Sequence, residues 1–390
     1  MPVGKVKNTL YGLALPLLGR SCGWRQAEGG TPETNAAVAR ALKQNHVVGA
    51  CIQRFEKGRL TDCITAGYAS LDGEKCPVAP DTVFRTASIA KMATALLVFR
   101  LQSMDKLDVR EDISDFLGEK VENPHHPGAP ITLGMLLNHT SSIVDSPAYY
   151  ASFANPADLA ALLKDPASFS PDPPGMRFRY SNLAAGMVGC MLEKRFDMCF
   201  ETLMQKELFS PLGVQATFDI TTLPAEKIAD SYRVLPKENG FSVRKRLENA
   251  QTIREPDPQR HYLLASGNLF LTAEMLAKLA LVCCGSYPGF IDEYGLRLMR
   301  TPTTDWPQQD VRMRHGMGLL KLEDPRIHPT ALWGHQGFAY GAVNGVFFDD
   351  GGNGFAALNS GSGERRYGHL AAVNRSLIRV LLQGKERHLP

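Results

Sequence analysis

The sequence predicts an α+β fold: an antiparallel sheet assembled from both ends of the chain, flanked by helices, with a helical domain inserted between them. Two observations carry this expectation. Strand-like runs cluster near the two ends, and the middle repeats its apolar residues at three-to-four spacing. Strands at both ends with helices between them imply one sheet closed across the chain. The expected boundaries are 40–85 and 310–385 for the sheet domain and 86–309 for the mainly helical domain. Residues 1–22 stand apart as a signal peptide or N-terminal arm.

Taken in order, a helix is expected over Pro32 to Gln44. Val47 to Arg54 and Leu60 to Ala69 read as strands joined by Glu56-Lys57-Gly58-Arg59, a hairpin. The short strand Thr82-Val83-Phe84 leads to a helix beginning near Ser88, with Ile89, Met92, Ala93, Leu96, Leu97 and Phe99 on its apolar repeat. Residues 122–130 form a Pro-rich loop ahead of a short helix over Leu133 to Leu137. Pro171, Pro173 and Pro174 forbid a helix interior around them. Helices follow from Asn182 to about Lys194 and from Phe200 to Phe209. Thr272 is placed to cap the next one. Met317 to Leu322, Tyr340 to Phe348 and Gly354 to Asn359 suggest an antiparallel meander, with a turn at Asp349 to Gly352. A closing amphipathic helix runs through Leu370, Val373, Leu377, Val380 and Leu381 and stops at Gly384.

The chain has 390 residues, enough for a large core. Subtracting 40 acidic from 43 basic residues leaves +3, which supports no basic track for nucleic acid. Eight cysteines are too sparse for a disulfide scaffold, and no CxxC pair occurs. Cys283 and Cys284 read as core residues. Cys51 and Cys63 flank the hairpin, where a bridge depends on their geometry. Lys5 and Lys7 precede the apolar stretch Leu10 to Leu18 and then Gly19-Arg20-Ser21-Cys22. That order fits an export signal, periplasmic or extracellular, although Arg20 and Pro16 suit one poorly; a plain arm on a cytoplasmic protein fits equally. No run is long enough for a membrane-spanning helix, so no integral membrane domain is expected. HExxH, clustered Cys/His ligands, Walker and dinucleotide patterns are all missing from the sequence, so no metal or cofactor is expected.

The chemistry-bearing signal is Ser88-Ile89-Ala90-Lys91. At the start of a helix, residues three apart share a face. A serine hydroxyl becomes a nucleophile when a nearby base takes its proton, and lysine can be that base. SxxK alone is weak. Here it is followed by Leu136-Leu137-Asn138-His139-Thr140-Ser141-Ser142, then Tyr180-Ser181-Asn182 after a Pro/Gly loop, then Gly334-His335-Gln336-Gly337 ahead of an expected strand.

This ordered set resembles the serine beta-lactamase and penicillin-binding-protein superfamily, in particular the group of class C beta-lactamases, D-alanyl-D-alanine carboxypeptidases, D-aminopeptidases and esterases. The resemblance runs from about residue 40 to residue 383 and implies a beta-lactamase/DD-peptidase-like fold. It implies Ser88 as nucleophile, Lys91 as its base and Tyr180 as proton relay to the leaving group. Asn182, His335 and Gly337 fall at substrate-binding positions, and the backbone N–H groups of Ser88 and Phe338 at the oxyanion hole. Leu136 to Ser142 matches a structural turn in which Ser142 replaces the usual glycine, and His139 reads as scaffold. Ser266-Gly267-Asn268-Leu269 would flank the site. Asp145 and Asp172 lie in loops, with nothing to mark them as a carboxylate pair.

One departure bears on substrate. The family's strand lysine is His335 here, mostly neutral near pH 7 unless perturbed, and Phe338 brings no side-chain donor. A peptide, amide or ester is therefore expected over a beta-lactam. D-amino-acid peptidase or carboxypeptidase chemistry leads, with carboxylesterase, beta-lactamase, acyltransferase and a non-catalytic peptide sensor as alternatives. The expected partner is a small-molecule or peptide substrate.

Overall fold

Side-chain alternation along the strands produces a sheet with two apolar faces, and each face has its own helical cover. The computed structural model describes residues 5–18, 26–235, 240–248, 250–305 and 311–383. Within these residues one antiparallel sheet has nine strands. They are β1 (Gly49–Glu56), β2 (Arg59–Ser70), β3 (Cys76–Pro77), β7 (Thr304–Asp305), β8 (Met313–His315), β9 (Leu320–Leu322), β10 (Leu332–Ala339), β11 (Ala342–Phe348) and β12 (Gly354–Asn359). Their spatial order is β3-β2-β1-β12-β11-β10-β9-β8-β7. The closure across the chain is the β1–β12 pair, with Ile52 opposite Ala357. Three further short strands, β4 (Phe84–Arg85), β5 (Ala216–Thr217) and β6 (Phe270–Leu271), form a separate sheet with β6 in the centre.

On one face, Ile52, Val343, Phe347 and Phe355 pack against the Pro32–Gln44 and Ala372–Leu381 helices through Val38, Leu42, Val373 and Leu377. On the other, Cys51, Val346, Phe348, Ala356 and Leu358 join the large core of the middle helices. That core includes the Ala90–Gln102 helix, on which nearly every side chain is buried. A helix apolar all round belongs inside the protein, not on its surface. The fold is thus a large antiparallel sheet flanked by helices with a helical region inserted, as the sequence predicts. No helix among the described residues is long and apolar enough to cross a membrane.

Several local expectations need correction. His335-Gln336-Gly337 does not precede a strand; it lies inside β10, whose glycines look like loop punctuation in sequence. The strand expected from Met317 begins at Leu320, and that expected from Tyr340 begins at Ala342. Tyr340, at φ 53°, and Gly341 make the turn instead. The Phe200 helix is α-helical to Met204 and then widens to a π-turn over Gln205–Phe209. The closing helix starts at Ala372, since Leu370–Ala371 pairs as a short strand with Arg366–Tyr367. Cys51 and Cys63 are free thiols 3.6 Å apart, offset diagonally because Cys51 faces Thr65 and Cys63 faces Gln53. Lys5–Leu18 is helical and packs on the body: Leu15 is buried with Val48, Tyr232 and Val234, and the Tyr11 hydroxyl accepts the Glu364 N–H at 3.0 Å. Gly19 to Cys22 and Gly384 lie outside the described residues.

Candidate active site

The segment carrying Ser88 is tied down from three sides before the helix begins. Thr86 N–H donates to the Leu269 carbonyl at 2.8 Å, continuing the β4–β6 pairing. Asn344 of β11 donates from Nδ2 to the Arg85 carbonyl at 2.9 Å. From β10, Gly337 approaches so closely that a Cβ there would stand 2.3 Å from the Thr86 carbonyl and 3.1 Å from the Ser88 nitrogen. Only glycine permits that approach. Ala87 is held at φ 54°, a left-handed conformation costing about 1–2 kcal/mol outside glycine. Such strain persists where the surroundings over-determine it. Ser88 follows in a single 3-10 turn, Ala87–Ile89, and the α-helix starts at Ala90.

One turn of helix then brings the Lys91 Nζ to 3.2 Å from the Ser88 Oγ. Lys91 is 5% exposed. Its amine also reaches Asn182 Oδ1 at 2.9 Å and the Ser266 carbonyl at 2.5 Å. Asn182 opens the Asn182–Phe196 helix, capped by Ser181, whose Oγ accepts the Ala184 N–H at 3.0 Å. Ser266 comes from the short Leu264–Gly267 helix ahead of β6. The Tyr180 ring lies with its centroid 5.1 Å from Lys91 Nζ and 4.3 Å from that of His139. His139 in turn accepts the Ser181 N–H at Nδ1, 3.3 Å away. It is scaffold for the tyrosine.

Across from these groups, β10 brings His335, Gly337 and Phe338. His335 is buried, and its Nδ1 lies 2.8 Å from the Gln336 carbonyl. A carbonyl only accepts, so Nδ1 carries the proton and Nε2 of the neutral ring is an acceptor. Burial, reinforced by the Lys91 charge, lowers the His335 pKa to about 3. Phe338 is covered by Arg366, whose guanidinium carbon is 3.9 Å from the ring centroid. Burial lowers Arg366, opposed by Glu364 and Tyr180. Trp333 is core wall, donating to Asp350 at 2.9 Å.

The structure thus draws Ser88, Lys91, Tyr180, Asn182, His335 and Gly337 around one centre. Thr272 caps the Ala273–Cys283 helix and stays outside it. Ser266, expected to flank the site, does so through its backbone carbonyl. Two contributors escape sequence reasoning. Arg366 reaches the site only because its strand folds against β10. Asp145 accepts from Ser181, Asn182 and Leu183; Asp172, by contrast, pairs with Arg177 and Arg179. Among the described residues no group of His, Cys, Asp and Glu is arranged to hold a metal.

The buried histidines predict acid sensitivity. Burial lowers His315 to about 3 and His139 well below its ordinary value, alongside His335 at about 3. Unfolded, these rings titrate near 6.5, so between pH 6.5 and about 3 the unfolded state binds more protons. Stability should fall with pH through that window by on the order of 1 kcal/mol per unit for each ring. Urea melts from pH 7.5 to 5 check this; a midpoint independent of pH would contradict buried neutral imidazoles.

With the geometry in place, comparison with known proteins decides the family. The beta-lactamase family profile matches residues 34–378. The chain belongs to the beta-lactamase family. It is a serine-hydrolase-type enzyme of the beta-lactamase and penicillin-binding-protein superfamily. Among its relatives, a probable fimbrial assembly protein FimD of Dichelobacter nodosus is 24% identical over 79% of this chain and 73% of that protein. The octameric penicillin-binding-protein homologue from Pyrococcus abyssi superposes with a TM-score of 0.72 at 21% identity, covering 92% of this chain and 78% of the other. A D-stereospecific amidohydrolase from Streptomyces sp. does so with a TM-score of 0.68 at 23% identity, covering 90% and 99%. These structural likenesses show the beta-lactamase-like fold.

Proposed function

We propose that this protein hydrolyses an amide or peptide bond of a D-amino-acid substrate through an acyl-enzyme on Ser88. The observation that carries the reading is the position of Lys91. Asn182 Oδ1 and the Ser266 carbonyl are both acceptors and hold two N–H bonds of Lys91, whose third donates to Ser88 Oγ and is the one given up when the ammonium loses a proton. The remaining lone pair then faces the Ser88 hydroxyl at 3.2 Å, the arrangement a general base needs.

Lys91 takes the Ser88 proton as Oγ bonds to the substrate carbonyl carbon. The developing oxyanion is met by the backbone N–H groups of Ser88 and Phe338, on the two segments that abut at Gly337. The C–N bond breaks as Tyr180 gives its proton to the leaving amine, and Lys91 returns one to Tyr180. Water then attacks the acyl carbon, losing a proton to the same pair, and Ser88 Oγ leaves protonated. Tyr180 and Lys91 act as a coupled unit.

For substrate class, the neutral His335 offers an acceptor and no charge. The cation comes from Arg366, which stacks on Phe338 beside Tyr180. That suits a substrate with a free carboxylate, such as a peptide's C-terminus. The description of the Streptomyces neighbour as a D-stereospecific amidohydrolase supports the same substrate family.

A panel of D-Ala-D-Ala peptide, D-aminoacyl amide, short-chain p-nitrophenyl ester and nitrocefin tests this. Turnover of the peptide or amide well above nitrocefin is expected; efficient turnover of nitrocefin or of the ester alone would replace the reading with beta-lactamase or esterase. Arg366→Gln should lose about tenfold more kcat/KM on a peptide with a free carboxylate than on its C-terminal amide, the loss of a charge-assisted bond. Equal losses on both would remove Arg366 from substrate recognition.

A further inference from the structure

The two oxygens of Asp145 take different partners around Asn182, and the Tyr150 hydroxyl also bonds to this carboxylate. Oδ1 accepts from Ser181 Oγ at 3.0 Å and from Leu183 N–H at 2.9 Å, both at the start of the Asn182–Phe196 helix. Oδ2 accepts from Asn182 Nδ2 at 2.9 Å. An ionised carboxylate only accepts, so it can meet the carboxamide of Asn182 at the NH2 end alone. The oxygen of that carboxamide is then turned to the opposite side, where it lies 2.9 Å from Lys91 Nζ.

We infer that Asp145 is a positioning residue that sets the orientation of the Asn182 amide and, through it, the direction of the Lys91 lone pair toward Ser88. This rests on Ser88 and Lys91 acting as nucleophile and base. With the Asn182 oxygen toward Lys91, two acceptors take the amine N–H bonds and the lone pair faces the hydroxyl. With the amide reversed, its NH2 donates to that lone pair instead. The base is then engaged before Ser88 can use it. Among the described residues Asp145 hydrogen-bonds neither Ser88 nor Lys91, and it reaches the amine through Asn182.

Asp145→Asn separates these roles within one isosteric change. The retained oxygen still accepts from Ser181 and Leu183 at the helix start. The new NH2 faces Asn182 Nδ2, donor against donor, and Asn182 must turn over. The charged and titratable groups around Lys91 are Tyr180 from the loop before the helix, His335 from β10 and His139 from the turn after Leu137. Tyr149 and Tyr150 face Asp145 itself. The substitution removes the Asp145 charge that Tyr149 and Tyr150 feel and leaves Tyr180, His335 and His139 as they are. An N–H turned on Lys91 occupies the lone pair that Ser88 needs, so the labelling rate should fall.

The experiment measures the rate of covalent labelling by a fluorophosphonate between pH 5 and 9, with thermal melts alongside. Parent protein and Ser88→Ala bracket the Ser88 reading. Asp145→Asn is expected to label about 10²-fold more slowly, within the range for a mispositioned general base. The double variant Asp145→Asn/Asn182→Asp restores an acceptor on both sides of residue 182. It should label at least about tenfold faster than the single variant, a rescue that a merely structural role of Asp145 would not give. If Asp145→Asn fails to fold, the double variant against the parent decides alone: failure to label when folded overturns the inference. A folded Asp145→Asn protein with the parent's rate, or a double variant no faster than the single one, also overturns it, while leaving Ser88 as nucleophile. A parent protein that labels no better than Ser88→Ala overturns the reading beneath both.

Discussion

Ser88→Ala should eliminate fluorophosphonate labelling and lower turnover of the best substrate in the panel by on the order of 10⁴–10⁶-fold. The effect is this large because every later step needs the acyl-enzyme, and Ser88 Oγ is the hydroxyl 3.2 Å from Lys91 Nζ. The neighbouring Lys91, Tyr180 and Asn182 act as a unit with Ser88, so removing a second member after Ser88 should add little. The fold should be preserved, since Ala87 and Gly337 set the backbone of the turn independently of the hydroxyl. The control is a thermal melt close to that of the parent. Retained labelling at the parent's rate would place the nucleophile elsewhere.

Lys91→Met should follow closely, with an expected loss of about 10²–10⁴-fold in the acylation rate. Methionine has nearly the length of lysine and suits an almost fully buried position. It carries no proton acceptor of comparable strength. The substitution also leaves Asn182 Oδ1 and the Ser266 carbonyl without the donor they now share, so a stability loss of about 1–3 kcal/mol should accompany it. The two effects are separable. Urea melts read the stability change, and labelling at a temperature where the variant is fully folded reads the acylation rate. Unchanged labelling in a folded Lys91→Met protein would pass the role of base to Tyr180 alone.

The long core helices and the first hairpin were legible because apolar spacing is a local property, whereas short helices such as Leu159–Lys164 and Glu293–Arg300 were not. Pro32–Gln44 and Leu133–Leu137 have the expected bounds, and Gly354–Asn359 does among the strands. Strand order was less so. The β1–β12 pairing joins residues about three hundred positions apart, and nothing in either strand names its partner. The misplacement of His335 and Gly337 outside a strand has a specific cause. Gly334 and Gly337 weaken a strand by every local measure, yet Gly337 is needed where β10 passes against Thr86 and Ser88.

The site shows the same division. Ser88, Lys91, Tyr180 and Asn182 could be picked out because their side-chain types and order form a motif. Asp145 could not: it works through the amide of Asn182, and a lone aspartate in a loop has no distinctive spacing. Arg366 was hidden for another reason, since its stack on Phe338 exists only once the Arg366–Tyr367 strand lies beside β10. Ser142 illustrates a substitution explained by geometry. It sits at φ 64°, where the resembling motif has glycine, and its hydroxyl accepts from Asn123 Nδ2 at 2.9 Å, a bond glycine could not make.

The most direct test of the Ser88 acyl-enzyme is to quench the reaction with a slowly hydrolysed D-aminoacyl ester and map the trapped adduct by peptide mass spectrometry. The predicted result is a single acyl group on the peptide containing Ser88, lost on further incubation with water and missing in Ser88→Ala. Acyl transfer to any other residue, or turnover with Ser88→Ala as fast as with the parent, would contradict the mechanism.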